Sequence, residues 1–159
     1  MRRFVILATA AIFAASASAQ LPGLRRRPPV PPAPVLVGID ALRADFVAQA
    51  GSDKVYFGGD AAVLTAPAQA TLGAQAVWLR RHPGVVVRIE GHGDQSDTRE
   101  HALAVGARRA EEVRSHLVLL GVPAAQLTTM SWGKERPAVL GTSPQALALN
   151  RRAVTVLVR

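Results

Sequence analysis

An isolated aspartate and a pair of arginines stand out in the stretch GHGDQSDTREHALAVGARRA, residues 91–110. Asp94 follows a strand-like run, and Arg108 and Arg109 come later within a helical pattern. A fixed carboxylate can receive an ammonium group, and an arginine fork can bind a carboxylate through two parallel hydrogen bonds. The two groups, once brought together by a fold, suit a zwitterion such as an amino-acid centre.

The same residues also have a purely structural interpretation. Asp94 and Arg109 could form an ordinary salt bridge or a brace between a helix and a loop, and spacing alone favours this interpretation over a ligand site. A helix advances by about 1.5 Å per residue, so the arginines lie well past the start of their helix. Contact with Asp94 therefore requires the aspartate to fold back along the flank of the helix.

The sequence offers no motif for catalysis or for a metal. His92 and Asp94 could be combined with His101 or His116, but those two helical histidines lie fifteen residues apart and no H-E-x-x-H spacing is present. There is no G-x-S-x-G motif, no phosphate loop and no cysteine, and the chain shows no pair of carboxylates with divided acid and base roles. We therefore predict a binding protein that is not an enzyme and uses no cofactor or metal.

The elements that must position these groups follow from hydrophobic periodicity. We predict helices over 40–51, 65–82 and 97–120, and strands over 55–57, 85–90, 127–132 and 153–158. Asp97 and Glu100 can form a capping pair at the start of the long helix. The last strand is apolar on both faces, which indicates a central position in a sheet.

This order of elements predicts the fold class. Strand, helix, strand, helix, strand, strand is typical of an α/β (α+β) two-layer sandwich, with a mixed four-stranded sheet and helices packed on it. The domain is expected over 39–159, with its core over 53–159. Loops at one end of such a sandwich carry the site.

The N-terminal residues indicate export. Arg2 and Arg3, an apolar run over 4–15 and the Ala17-Ser18-Ala19 site predict a cleavable signal peptide at 1–19. That apolar run is shorter than the roughly 20 residues of a transmembrane helix, so we expect no transmembrane span. A linker rich in proline and arginine follows at 20–38. We expect the mature chain to begin near residue 20 and to lie outside the cytoplasm, with no nucleic acid as partner.

From Val55 onward the chain resembles the OmpA-like peptidoglycan-binding domain family, most closely its peptidoglycan-associated lipoprotein branch. The matching stretches are VYFGGD at 55–60, IEGHGD at 89–94, GARRAEEV at 106–113, LGVPAAQL at 120–127, SWGKERPAVLG at 131–141 and NRRAVTVLV at 150–158. The resemblance implies an OmpA-like fold, non-covalent binding of peptidoglycan through the meso-diaminopimelate of its stem peptide, and a contribution to cell-envelope integrity. It also implies a location in the periplasm, with the outer membrane as a further place of association.

The resemblance also implies which residues bind that ligand. Asp94 matches the aspartate of the GHxD element, and Arg109 matches the second arginine of the RRA element. Asn150 and Arg151 match a supporting NRR element, and Thr98 matches a loop position whose backbone lines the pocket. These five residues are the predicted site.

Three departures from the family pattern leave an alternative open. Gly58 and Gly59 stand where the first strand of the family usually has phenylalanine and aspartate, which predicts weaker packing at one wall of the site. The family usually has tyrosine and asparagine where this chain has His101 and Ala102, which predicts the loss of one polar contact. The lipoprotein branch carries a lipid-bearing cysteine after its signal, and this chain has no cysteine. The alternative is a periplasmic protein-interaction module of the Tol-Pal type, with a TolB-like partner and weak or no binding to the wall.

Overall fold

The computed structural model describes residues 38–158. The predicted signal peptide at 1–19, and the predicted linker apart from its last residue, lie outside the described part. The elements are helices α1 (Ile39–Ala50), α2 (Ala66–Arg81), α3 (Arg99–Leu119) and α4 (Pro144–Asn150), strands β1 (Lys54–Tyr56), β2 (Val87–His92), β3 (Leu127–Gly133) and β4 (Arg152–Leu157), and a short 3₁₀ turn at Ala124–Gln126. The predicted α/β fold class is confirmed.

The predicted elements are all present, and one helix was missed. Helix α4 occupies only seven residues, which is too short to show a hydrophobic period. Its start nevertheless has the usual chemistry, because the Ser143 hydroxyl accepts a hydrogen bond from the Ala146 amide and Pro144 opens the first turn. The predicted capping pair of Asp97 and Glu100 is wrong, since the N-cap of α3 is Thr98.

The sheet has the strand order β1-β4-β2-β3. Strand β4 is antiparallel to both of its neighbours, whereas β2 and β3 run parallel. The predicted central position of the last strand is therefore confirmed. Because β4 runs antiparallel to β1 and β2, and β3 runs parallel to β2, the start of β4 lies at the same edge of the sheet as the carboxyl ends of β1, β2 and β3.

Helix α3 packs on the sheet at unusually short range. A Cβ added to Gly91 of β2 would lie 1.8 Å from the carbonyl oxygen of Gly106 on α3, and one added to Gly106 would lie 2.4 Å from the Ser131 hydroxyl. Only glycine fits such an approach of helix and strand backbones. The contact draws the middle of α3 onto the carboxyl end of β2, which is where the predicted site residues begin.

The core between the helices and the sheet is apolar. Its largest fully buried side chains include Trp78, Phe46, Leu72, Leu79, Ile89, Leu117 and Leu157. Trp78 also donates a hydrogen bond from Nε1 to Asp45 of α1 at 2.7 Å, so α1 is held to α2 by a polar contact as well as by packing. Within residues 38–158, no helix is both long and apolar enough to cross a bilayer.

Candidate functional site

Register brings the predicted site residues to one edge of the sheet. Gly91 of β2 pairs with Ala153 of β4, which runs in the opposite direction. Three residues beyond Gly91 stands Asp94, and two residues before Ala153 stands Arg151, so the two side chains meet where β2 ends and β4 begins. This long-range pairing positions the first part of the site.

The Asp94 carboxylate is almost completely enclosed, with 4% of its side chain exposed. It accepts hydrogen bonds from the backbone amide of Ser96 at 2.9 Å and from the Ser96 hydroxyl, and it forms an ion pair with Arg151 Nη1 at 3.0 Å. Burial alone would raise the pKa of Asp94, but the hydrogen bonds from Ser96 and Arg151 outweigh it and hold that pKa below its usual value. Asp94 is therefore ionised at neutral pH.

The Arg109 guanidinium is buried on α3 and is hydrogen-bonded to backbone carbonyls. Nη1 donates to His92 at 2.7 Å, Nη2 donates to Gly59, and Nε donates to Ala61 at 3.4 Å. Burial lowers the pKa of Arg109 from its usual value, and the charge of Asp94 opposes that shift. The side chain also lies over the ring of Phe57, 5.4 Å from its centroid.

Asp94 and Arg109 thus share a neighbourhood without forming a salt bridge among the described residues. The partner of Asp94 is Arg151, and the partners of Arg109 are carbonyl oxygens. The interpretation of the pair as an ordinary salt bridge is therefore wrong, whereas the interpretation as a brace between a helix and a loop fits Arg109, which ties α3 to the loop after β1. What the fold places at this edge is a negative and a positive centre, each held by other groups.

The remaining predicted site residues occupy supporting positions. The Thr98 hydroxyl accepts a hydrogen bond from the His101 amide at 3.2 Å and so starts α3. The Asn150 side chain is fully buried; its oxygen accepts from the amides of Ala138 and Val139, and its nitrogen donates to the Val139 carbonyl. Asn150 therefore holds the loop at 134–143 against the end of α4.

The sequence analysis did not identify the hydrogen-bond partners that hold Asp94 and Arg109 in place. Ser96 donates to Asp94, and the carbonyls of Gly59 and Ala61 accept from Arg109. A serine two residues after an aspartate is a recognisable local turn pattern and could have been used. Backbone carbonyls cannot be predicted as partners from residue types, because every residue has one. The Gly58-Gly59 pair does indicate a sharp bend after β1.

His92 provides a second buried polar group close to the site. Its side chain is 2% exposed, and neither ring nitrogen has a hydrogen-bond partner within residues 38–158. Burial, together with the charges of Arg152 and Arg136, lowers the pKa of His92 to about 4. The ring is therefore neutral at physiological pH.

These features define a class of protein. It is a two-layer α/β sandwich with charged groups buried at one edge of a mixed sheet. The profile of the OmpA family matches residues 56–151, and the chain belongs to that family. The match runs from the last residue of β1 to just past α4 and so includes all five predicted site residues. The resemblance inferred from the sequence motifs is confirmed.

Relatives of known name agree with this assignment. The peptidoglycan-associated lipoproteins of Rhizobium meliloti and Agrobacterium fabrum are 46% and 45% identical to this chain over 113 residues. The matched part covers 71% of this chain, and it spans 64% and 63% of those relatives, just under two thirds of their length.

Solved structures share the fold. The crystal structure of the peptidoglycan-associated lipoprotein from Burkholderia pseudomallei superposes with a TM-score of 0.65 at 41% identity, covering 67% of this chain and 91% of that chain. The C-terminal domain of Helicobacter pylori MotB gives a TM-score of 0.63 at 20% identity, covering 67% of this chain and 84% of that one. At that lower identity the likeness concerns the fold alone.

Proposed function

We propose that this protein binds peptidoglycan non-covalently in the cell envelope, through the meso-diaminopimelate residue of the stem peptide. The observation that carries the proposal is the pair of buried charges, Asp94 and Arg109, at one edge of an OmpA-family domain whose relatives are named peptidoglycan-associated. The protein acts as a binding module of the periplasm, without enzymatic activity.

The hydrogen bonding of Arg109 suits a carboxylate ligand. A guanidinium has five N–H donors, and each of the three nitrogens of Arg109 uses one in bonds to carbonyls. Each terminal nitrogen keeps a second N–H, and two such donors side by side are what a carboxylate binds in a bidentate manner. Because Arg109 is only 1% exposed, we expect ligand binding to shift the 58–61 segment that covers it.

Asp94 supplies the opposite charge. Its depressed pKa keeps it anionic, and its carboxylate can receive the ammonium group of the same amino-acid centre. Arg151 holds Asp94 from the β4 side, while Thr98 and Asn150 fix the ends of the two loops that border the pair. In this scheme Arg151, Thr98 and Asn150 support the site, and Asp94 and Arg109 contact the ligand.

Co-sedimentation of the protein with purified sacculi tests the proposal. We expect Asp94→Asn and Arg109→Lys each to weaken binding about tenfold or more, since each removes charge-assisted hydrogen bonds. Arg108→Ala is the matched control, because Arg108 neighbours Arg109 on α3 but is exposed. Sacculi with lysine in place of diaminopimelate should bind less protein.

Circular dichroism separates lost binding from lost folding in these variants. Folded variants that bind sacculi as well as the wild type would refute the assignment of Asp94 and Arg109. Absence of binding by the wild type would refute the function itself.

A second candidate is interaction with a TolB-like periplasmic protein. Exposed apolar side chains favour it: Val139 and Leu140 lie on the loop held by Asn150, and Leu149 precedes that residue on α4. Exposed apolar groups that lie together are typical of protein interfaces. If Leu140→Asp abolishes binding to a purified TolB-like protein but leaves sacculus binding intact, the two functions use separate surfaces.

A further inference from the structure

Three metal-ligating side chains converge beside the predicted site from three separate segments. Asp60 lies in the loop after β1, Asp97 lies in the loop before α3, and His101 lies in the first turn of α3. One ligand atom from each of the three lies within 4.8 Å of the other two. None of these residues belongs to the five predicted site residues.

The donor set favours one class of metal. An imidazole nitrogen with two carboxylate oxygens is a usual set for Zn²⁺, which takes three protein ligands and leaves a fourth position for water or another group. Calcium takes six or more oxygen ligands, and magnesium prefers oxygen ligands and keeps several waters. A histidine in a set of three therefore favours zinc over calcium and magnesium.

Separations within the cluster are close to what zinc requires. Bonds of about 2.0–2.2 Å to nitrogen and oxygen place the ligand atoms of a tetrahedral site about 3.3–3.6 Å apart. The Nε2 atom of His101 lies 3.5 Å from Oδ2 of Asp60. The side chains of Asp60 and His101 are 62% and 46% exposed, so small rotations can bring the third ligand, Asp97, to the same distance.

The charges of the cluster also call for a cation. Within residues 38–158, neither carboxylate forms an ion pair with a lysine or arginine, and Asp60 contacts the ring of His101. Arg109 lies near enough to feel both charges, but its guanidinium donates to carbonyls. Lys134 reaches this region as well, yet its ammonium donates to the Asp97 backbone carbonyl. Two carboxylates and an imidazole nitrogen that lie this close together are a set of ligands whose negative charge one divalent cation can offset.

We propose that Asp60, Asp97 and His101 form a Zn²⁺ site at the rim of the candidate binding site. The proposal departs from the expectation from the sequence that the chain has no metal site. Zinc motifs are recognised by short spacings such as H-E-x-x-H, whereas these ligands come from loops 37 residues apart in sequence and a helix that the fold brings to them. The metal would tie the loop after β1 to the start of α3.

Titration of the metal-free full-length protein with ZnCl₂ by calorimetry tests the site. We expect one equivalent to bind with micromolar affinity, and CoCl₂ to give the visible absorption of a tetrahedral centre. His101→Ala and Asp97→Asn should each lower the affinity about tenfold or more, because each removes a direct ligand. His116→Ala is the matched control, since His116 lies on the same helix outside the cluster and should leave binding unchanged.

Thermal unfolding provides a second readout. Zinc that binds the folded state raises its melting temperature, and we expect the rise in the wild type and the His116 variant but not in the other two. Absence of zinc binding by the wild type would overturn the proposal, as would equal binding by the wild type and His101→Ala. Both measurements omit peptidoglycan, so their outcome is independent of the proposed function.

Discussion

Charged or titratable side chains are buried on two sides of the end of β2, one facing α3 and the other facing the loop at 134–143. The two sides differ in how fully these side chains are hydrogen-bonded. Towards α3, each nitrogen of Arg109 donates to a backbone carbonyl, and Asp94 has both Ser96 and Arg151 as partners. Beside the loop at 134–143, both ring nitrogens of His92 have no hydrogen-bond partner within the described chain.

The difference concerns which charges the fold can hold. Buried ions are tolerated where hydrogen bonds replace their hydration, as they do for Arg109 and Asp94. His92 has no such replacement and lies near two arginines, so the fold accepts only its neutral form. The α3 side therefore accommodates the charged forms of Arg109 and Asp94 at neutral pH, whereas the loop side is stable only while His92 remains uncharged.

The largest expected effect comes from breaking the close contact on the α3 side. Gly91→Ala would place a methyl group 1.8 Å from the Gly106 carbonyl, so helix and strand must separate. We expect a loss of about 4 kcal/mol in the free energy of unfolding, measured by urea denaturation. Gly84→Ala is the control, because a Cβ there has no atom within 4 Å. Equal stability of the two variants would show that α3 does not depend on this contact.

Acid should weaken the loop side first. An unfolded histidine has a pKa of 6.5 and the folded His92 has a pKa of about 4, so the unfolded state binds the proton more readily between these values. Stability therefore falls as the pH is lowered from about 6.5 to about 4, by about 3 kcal/mol from this group. Asp94 acts in a different window, because its depressed pKa removes its contribution only as the pH falls below the usual aspartate range.

Replacing His92 separates these two windows. His92→Asn removes the titrating ring, and we expect the slope of unfolding free energy against pH between 4 and 6.5 to flatten. His116→Asn should leave the slope unchanged, since His116 lies on the opposite end of α3 from this region. Urea denaturation at a series of pH values measures both, and an unchanged slope in the His92 variant would contradict the assignment.

Local patterns account for the parts of the fold that the sequence predicted. Thr65, for example, caps α2 as its position before Pro67 suggests, and the apolar run at 153–158 lies in a central strand. Helix α4 was missed because seven residues give no periodic signal, although Ser143 and Pro144 carry a capping pattern that could have been used.

The candidate site could be predicted only in part. Asp94 and Arg109 were placed near each other because a strand, a loop and a helix in succession bring their residues together. The contact of Asp94 with Arg151 depends on the pairing of Gly91 with Ala153, which joins residues far apart in sequence. The hydrogen bonds of Arg109 go to backbone carbonyls, which every residue has and which residue types therefore cannot predict. Ligand binding by these residues stays a prediction.

Substitution of Asn150 by alanine tests the loop side without changing any charge. Its side chain makes three hydrogen bonds to Ala138 and Val139, and Asn150→Ala would remove all three and leave a gap at a fully buried position. We expect a loss of about 2 kcal/mol in unfolding free energy, together with faster amide hydrogen exchange at 138 and 139. Gln145→Ala is the control, because Gln145 is exposed on the same helix.

The same variant shows how Asn150 contributes to the candidate site. If the residue acts by holding the loop, sacculus binding should weaken only as far as the loop loosens, and the stability loss and exchange rates should change together. A large loss of binding with slow exchange at 138 and 139 would instead place Asn150 in direct contact with the ligand. The hydrogen bonds favour the first outcome, since the side-chain oxygen and nitrogen of Asn150 are both bonded to the loop and the residue is fully buried.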